Sequence, residues 1–259
     1  MIGELTDTLA VKDAMRAPAP ANTTPEQGPT PGAPEARRVR AMFDGIAPRY
    51  DLLNHLLSFQ LDRLWRRRAA ARALAGLSAP RVLDLCTGTG DLALALERAG
   101  PEVSLFAADF SLEMLARAAN KQAGLRLIGV DALALPFQEG AFDLVTAAFG
   151  VRNFADRARG FHEVRRVLKP GGRFVVLEFT PAGPGALGAL YRWYSRAVLP
   201  RVGAALSRSH GAYRYLPASV DHFPGPEQLA AELRKAGFRS AEFERLAFGT
   251  VALHSAWNR

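Results

Sequence analysis

Residues 81–109 read R-V-L-D-L-C-T-G-T-G-D-L-A-L-A-L-E-R-A-G-P-E-V-S-L-F-A-A-D, and this stretch decides the fold. Val82, Leu83 and Leu85 make a buried strand; Gly88 and Gly90 follow, then Leu92, Leu94 and Leu96 sit among helix formers. A second apolar run, Val103 to Ala108, ends in Asp109. Strand, glycine turn, helix, strand and acid is half of a doubly wound nucleotide-binding sheet. The two glycines let the backbone approach a ligand where a Cβ would collide. Asp109 lies 19 residues beyond Gly90, where such folds place a carboxylate on two ribose hydroxyls.

The same stretch narrows the ligand. A dinucleotide turn needs a third glycine, and position 93 is Ala; a phosphate loop needs a Lys that is not there. What stands instead is D-x-x-x-G-x-G with Asp84 closing the first strand. A carboxylate aimed into the turn repels a pyrophosphate and suits a cationic ligand. S-adenosylmethionine carries adenosine and a sulfonium without phosphate, so it is the expected cofactor. The fold expected is therefore α/β: a Rossmann-like class I methyltransferase with a seven-stranded, mostly parallel sheet.

Composition agrees with one enzyme domain. The chain has 259 residues, of which roughly 220 remain beyond a Pro- and Ala-rich start, enough for a substantial core. Residues 1–36 are expected to be a disordered tail and 37–259 a single domain. Within it, 37–78 reads as N-terminal helices, 79–180 as the cofactor core, 181–226 as a substrate-cap insert, and 227–259 as the closing helix and strands. The single cysteine, Cys86, forbids an intramolecular disulfide and fits a reducing cytoplasm. No apolar run reaches the ~18 residues of a membrane span, and the start lacks a signal peptide's apolar core. A net charge of +8 invites an anionic partner, such as a membrane surface at the inner face. Arg63, Arg66, Arg67, Arg68 and Arg72 form a basic helical run, read either as a solvated face or as that contact.

Along the chain, Val39, Met42, Phe43 and Ile46 have helical spacing up to Pro48, and Tyr50 to Leu77 reads as a second helical segment. Ser111 caps a helix over 112–121, strand three spans 125–130, and Asp131-Ala132 follows it. Asp131 can accept from the adenine amine, or close an Asx-turn. Strand four is 142–149, and F-G-V-R-N-F follows over the reactive sulfonium. A helix over 157–168 stops at Lys169-Pro170-Gly171-Gly172, a turn signal before strand five at 173–179. The insert carries Tyr191, Trp193, Tyr194, Tyr213 and Tyr215; it is either a substrate-specificity element or a cap packed for stability. A helix over 228–236 and strands over 240–246 and 250–257 close the sheet.

F-D-G-I-A-P-R-Y-D (43–51), L-D-L-C-T-G-T-G-D (83–91), L-P-F (135–137), F-G-V-R-N (149–153), R-V-L-K-P-G-G-R (166–173), Y-R-Y-L-P-x-S-V (213–220) and G-T-V-A-L-H (249–254) together resemble the ubiquinone/menaquinone biosynthesis C-methyltransferase family. The resemblance covers residues from about 40 to 259. It implies methylation of a ring carbon in a polyprenylated quinol with S-adenosylmethionine, with demethylmenaquinol preferred over a benzoquinol on the strength of Y-L-P-x-S-V-x-x-F-P (215–224). It also implies an antiparallel last strand and cofactor contacts at Thr89, Asp109, Asp131 and Ala132. Where the ubiquinone branch often has Ser, this chain has Ala148, so that side-chain contact is missing.

Methylating a quinol carbon requires help with the ring hydroxyl, whose pKa is near ~10. Arg152 can stabilise the oxyanion; Asn153 and Tyr50 stand beside it as further catalytic candidates. Base candidates are His55, His210, His254 and Asp51. No cluster has metal-ligand spacing, so no metal is expected. A sterol or small-molecule methyltransferase and an RNA methyltransferase are the rivals. The first would not need F-G-x-R-N and Y-x-Y-L together; the second would favour N/D-P-P-Y/F after strand four, where this chain reads A-F-G-V-R-N. No nucleic-acid partner is expected, and a homodimer stays open.

Overall fold

The structure is a computed structural model that describes residues 34–183, 185–198 and 212–259. Residues 1–33 of the expected 1–36 tail and the base candidate His210 lie outside the described residues, as do the side chains of Tyr191 and Tyr213; residues 34–36, read as tail, instead begin a helix, Pro34–Ile46. Seven strands form one sheet: β1 (Arg81–Leu85), β2 (Ser104–Asp109), β3 (Arg126–Gly129), β4 (Phe142–Ala148), β5 (Leu168–Phe179), β6 (Ser240–Leu246) and β7 (Val251–Trp257). Their order is β3-β2-β1-β4-β5-β7-β6. Only β7 runs against its neighbours, paired antiparallel to both β5 and β6. The chain reverses direction across the sheet between β1 and β4, and the carboxyl ends there open a crevice for ligands.

Both faces of this sheet are buried, so its central strands carry apolar runs without alternation. On one face Leu83, Leu85, Phe142, Val145 and Phe174 pack with α6 (Arg157–Val167) and α9 (Pro226–Lys235). On the other, Val82, Leu144, Val175 and Leu253 pack against Trp65, Ala69 and Ala73 of α3 (Leu61–Leu74) and Leu92 and Leu96 of α4 (Asp91–Ala99). Ser111 caps α5 (Leu112–Lys121) by accepting from the Met114 amide, and Asp156 caps α6 through the Arg159 amide.

Three local readings need correction. The segment from Tyr50 is two helices, α2 (Tyr50–Leu57) and α3, because Phe59 and Gln60 both adopt left-handed backbone, φ +54° and +64°. Lys169–Gly172 does not precede the fifth strand but lies within it. Phe142 pairs with Leu168 and Leu144 with Arg173, so the extra residues bulge out, with Gly171 at φ +75°. The basic run on α3 is not uniformly solvated: Arg66 is buried against Asp62, while Arg68 and Arg72 reach Glu244 and Glu242 on β6. Ahead of these elements, α1 (Pro34–Ile46) and a short turn of 3-10 helix, Ala47–Arg49, close over the carboxyl edge. The insert supplies α7 (Ala186–Trp193), a π-turn at Tyr194–Val198, and α8 (Ala212–Asp221).

Candidate functional site

Two cavities open side by side at the carboxyl edge. The larger, about 640 Å³, is lined by Leu85, Cys86, Gly88, Asp109, Asp131, Ala132 and Ala148, with Arg37, Arg40 and Phe43 of α1 opposite. The smaller, about 120 Å³, is lined by Asn54, Ser58, Trp65, Arg152, Phe179, Tyr194 and Tyr215. Phe43, Tyr50 and Phe149 line both. A wall of three aromatic rings therefore separates a chamber floored by the glycine turn from a chamber roofed by the insert.

The glycine turn is held from below. Asp109, buried at the end of β2, accepts from the Gly88 amide at 2.8 Å and from the Ser111 amide at 2.9 Å. Burial pushes its carboxyl above the ordinary value, against the pull of those amides. Gly88 has φ +57°, and a Cβ there would point toward Tyr50, whose Cε1 lies 3.9 Å away. Cys86 and Phe149 also adopt left-handed backbone, at φ +57° and +58°, one on each side of the cavity floor. Such strain in non-glycine residues persists where surrounding structure fixes it and gathers at ligand sites. Gly150 makes the arrangement fit, since a Cβ on it would come within 2.3 Å of the Cys86 Cβ. Burial raises the Cys86 thiol well above its usual range, so it fills space as a neutral group.

Other predicted cofactor residues stand differently. Asp84 reaches the turn but lines neither chamber. It is fully buried and accepts from the Thr87 and Thr146 hydroxyls, each at 2.7 Å; burial lifts its carboxyl to about 6. Thr89 likewise turns its hydroxyl away from the cavity, to Asp51 and Lys121. Gly90 sits at φ +87° ahead of α4 with Ala118 packed against it. Asp131 closes an Asx-turn through one oxygen, accepting from the Leu133 amide at 2.9 Å, and still lines the larger chamber. The adenine and Asx-turn readings are thus compatible at two different oxygens.

In the smaller chamber, Arg152 is anchored to Glu178 at the end of β5. Its Nη1 donates to Glu178 at 2.8 Å and also to the Phe149 carbonyl, and its backbone amide donates to the same carboxylate. Glu178 is fully buried. The Arg152 Nε–H is buried without a partner among the described residues, an unusual state for a guanidinium that lines a cavity. Asn153 faces the larger chamber, and its carbonyl accepts from the Tyr215 hydroxyl at 3.0 Å, tying the two chambers together. Burial raises the Tyr50 phenol above its ordinary value, with Arg152 and Arg66 pulling part of the way back.

The base candidates do not converge. His55 pairs with Asp62 at 2.8 Å, Asp51 is held by Lys121 at 2.7 Å, and His254 lies buried on β7 against the Pro226 carbonyl with its pKa lowered by burial. None of the three lines either chamber. His55, Asp62 and Asp91 do bring donor atoms within 4.8 Å of one another. The Arg66 guanidinium contacts both carboxylates there, so a fixed cation already occupies the place a metal ion would take.

Sequence reading missed Glu178, Arg66, Asn54, Arg37 and Arg40. Glu178 had a usable signal: like Asp84 and Asp109 it is an acid closing a parallel strand. The others sit on helices whose placement no local pattern reports.

The topology, the crevice at its switch point and the carboxylates around the glycine turn define a class I S-adenosylmethionine-dependent methyltransferase. A crystal structure of a SAM-dependent methyltransferase from Thermotoga maritima has TM-score 0.59 at 18% identity, covering 85% of this chain and 99% of that one. The SpnF cyclase matches at TM-score 0.61 and 20% identity, over 88% of this chain and 97% of that one; at such identities the likeness is one of fold. The chain belongs to the ubiE/COQ5 methyltransferase family, whose model matches residues 32–258. A demethylmenaquinone methyltransferase of Thermus thermophilus is 55% identical over 218 residues, covering 82% of this chain and 98% of that protein. One of Deinococcus radiodurans is 50% identical over 223 residues, covering 85% and 92%. A ubiquinone/menaquinone biosynthesis C-methyltransferase of Geobacter sulfurreducens is 42% identical over 228 residues, covering 85% and 88%.

Proposed function

We propose that this enzyme methylates a ring carbon of a polyprenylated quinol, with demethylmenaquinol as its acceptor, and that it works from the cytoplasmic side of the membrane. The observation that carries this reading is the pair of chambers sharing one aromatic wall. One chamber offers carboxylates to a cationic nucleoside; the other offers aromatic and apolar surface around an arginine. No described helix is long and apolar enough to cross a membrane, which fits a protein that meets a lipid acceptor from outside the bilayer.

The larger chamber fits S-adenosylmethionine by its donor set. Asp109 is placed for the ribose hydroxyls, the second oxygen of Asp131 for the adenine amine, and Ala132 and Gly88 for backbone contact. Arg37 and Arg40, always charged, suit the carboxylate of the methionyl arm. Thr89 and Asp84 serve this site through the shape of the turn. The cofactor supplies an electrophilic methyl on a sulfonium; a C–C bond forms as the S–C bond breaks, the hydrogen on the attacked ring carbon leaves as a proton to water, and the ring oxygen that ionised regains its proton as the aromatic quinol is restored.

In the smaller chamber, Arg152 holds the developing quinolate with the charge of its guanidinium, which Glu178 fixes in place. Tyr50 donates from the shared wall, and Asn153, held by Tyr215, sets its position. Tyr194 and Tyr215 line the acceptor's path; Tyr191 and Tyr213 remain candidates on the same helices. Ring and methyl donor are oriented across the wall, and orientation is most of what such a transfer needs. The test is purified full-length chain with methyl-labelled cofactor, offered demethylmenaquinol and a demethylated benzoquinol in competition. Label recovered in the naphthoquinol ring supports the reading. Label in the benzoquinol alone, or in neither, overturns it.

A further inference from the structure

The face around the acceptor chamber departs from the rule that large apolar side chains are covered. Leu52 and Leu56 of α2, Phe59 in the break, and Leu64 of α3 are 62%, 47%, 72% and 60% exposed. Trp193 at the end of α7 is 60% exposed, and Phe248 in the turn between β6 and β7 is 90% exposed.

These residues belong to one rim. Asn54 and Ser58, interleaved with Leu52, Leu56 and Phe59, line the chamber itself. The Phe59 ring lies 5.9 Å from that of Tyr194, which also lines it, and Trp193 sits between Tyr194 and the lining residue Arg192. The ion pairs Arg72–Glu242 and Arg68–Glu244 lay α3 alongside β6 in opposite directions. One turn further back on α3, the same alignment brings Leu64 toward the end of β6, where Phe248 follows. Thr250, two residues beyond Phe248, is again a chamber residue. Because β6 runs parallel to β1–β5, its end lies on the carboxyl edge where the chamber opens.

Two further observations point to a partner of stated chemistry. Ala247 and Phe248 hold left-handed backbone, φ +48° and +56°, so the chain sustains strain to present a side chain that it does not bury. Arg63 and Arg67 are exposed on α3 beside Leu64, whereas Asp51 is held by Lys121 and Asp62 by Arg66 and His55; the exposed acid Asp221 lines the chamber from α8. Apolar side chains flanked by exposed arginines match the boundary between anionic headgroups and acyl chains.

We propose that this rim docks on an anionic lipid bilayer, seating Phe59, Leu64, Trp193 and Phe248 at the headgroup boundary so that the acceptor chamber opens onto lipid. The proposal deepens the quinol reading by giving a prenylated acceptor its route in, but lipid binding is measurable without any acceptor. The test is flotation of the full-length chain with phosphatidylglycerol vesicles and with phosphatidylcholine vesicles. Wild type should partition at least tenfold more to phosphatidylglycerol, and the preference should fall with added salt. The double variant Leu64→Ser/Phe248→Ser should lose at least tenfold of the binding, and Arg63→Glu/Arg67→Glu should abolish the preference for anionic lipid. Trp193→Phe should remove the blue shift of tryptophan emission that vesicles induce in wild type. Each variant should keep wild-type melting and wild-type transfer to a short-chain, water-soluble quinol.

Equal binding of the Leu64/Phe248 double variant and wild type overturns the proposal, and so does failure of wild type to float with phosphatidylglycerol. It is also overturned if light scattering shows wild type as a dimer that the double variant splits, since a second copy would then cover the rim. Wild-type flotation without methyl transfer to any quinol would leave the docking standing and remove the quinol reading.

Discussion

The two chambers share a wall and differ in how the chain builds them. The larger chamber has a local floor: β1, its glycine turn, the end of β2 and the residues after β3 lie within 81–133, and the strand register fixes their spacing, while α1 and the residues after β4 close it. The smaller chamber draws on α1, α2, α3, the ends of β4 and β5, α7, α8 and the residue before β7, pieces separated by more than two hundred positions. Strength of assembly differs accordingly. Backbone amides hold Asp109, whereas the Arg152 guanidinium is held by the Glu178 carboxylate and the Phe149 carbonyl, and the Asn153 side chain by one tyrosine hydroxyl. Perturbing one side chain should therefore damage the acceptor side more than the cofactor side.

Arg152→Ala should have the largest effect. It leaves Glu178 buried with no counter-charge, a loss of about 3–5 kcal/mol of stability. Thermal melting should fall steeply and turnover with it, so that variant alone cannot separate anchoring from catalysis. The double variant Arg152→Met/Glu178→Gln removes both charges and should regain most of the stability, since neutral groups of similar size tolerate such a site. Turnover should stay at least tenfold down, and alkaline pH should restore part of it, as more quinol ionises unaided. Recovery of full activity with recovered melting would reduce Arg152 to an anchor for the loop.

Asp84 ranks next and tests the cofactor side in the opposite sense. Its carboxyl is raised from 3.8 to about 6 by burial, against two threonine hydroxyls. The folded state thus binds the proton more tightly than the unfolded chain. The stability associated with that proton is full below about 3.8 and lost as pH rises through about 6. Roughly 2–3 kcal/mol is at stake at the scale of 1.36 kcal/mol per pKa unit. Asp84→Asn keeps the neutral shape at every pH, so urea unfolding at pH 4.5 and pH 8 should show wild type losing stability relative to the variant. Parallel behaviour at both pH values would mean that Asp84 titrates normally and that its threonine partners hold it ionised.

How much of each side was legible follows the same division. Gly88, Asp109 and Asp131 line the larger chamber, and their spacing was legible because strand, turn and acid are spaced by a sheet whose geometry is general. For Asp84 the sequence could not show its partners, Thr87 and Thr146, the second on the neighbouring strand β4. For Thr89 it could not show that the hydroxyl bonds Asp51 of α2, 38 residues away. The break at Phe59–Gln60 gave no warning, since neither residue ordinarily prefers left-handed backbone. Glu178 was visible as an acid near the end of a strand, but its pairing with Arg152 was not, because parallel pairing of β4 with β5 brings the two together across 26 positions.

Asp109→Ala should weaken cofactor binding by about 2 kcal/mol, roughly thirtyfold, the scale for losing charge-assisted hydrogen bonds to a bound ligand. Stability should change less, since the Gly88 and Ser111 amides it releases lie at the cavity and cap positions, where water can replace it. Calorimetry with S-adenosylmethionine gives the first quantity and thermal melting the second. Unchanged affinity would take Asp109 out of the ribose role. A collapse in melting would mean that the turn depends on its carboxylate more than on strand register.

The smallest effect belongs to the one bond that joins the chambers. Tyr215→Phe removes the hydroxyl that donates to the Asn153 carbonyl and leaves the ring in place along the acceptor's path. The expected cost is about 1 kcal/mol, the net worth of one such bond, or roughly fivefold. Where that factor appears is the informative part. Asn153 faces the larger chamber, so if the bond only seats the ring of Tyr215, the acceptor's KM should rise with kcat and cofactor affinity unchanged. If it positions Asn153 against the reacting atoms, kcat should fall with both binding constants unchanged. Independence of the two chambers predicts the first pattern; a shared wall that transmits position predicts the second. We expect the second, because Val151–Asn153 is a single turn in which Arg152 lines the smaller chamber and Asn153 the larger.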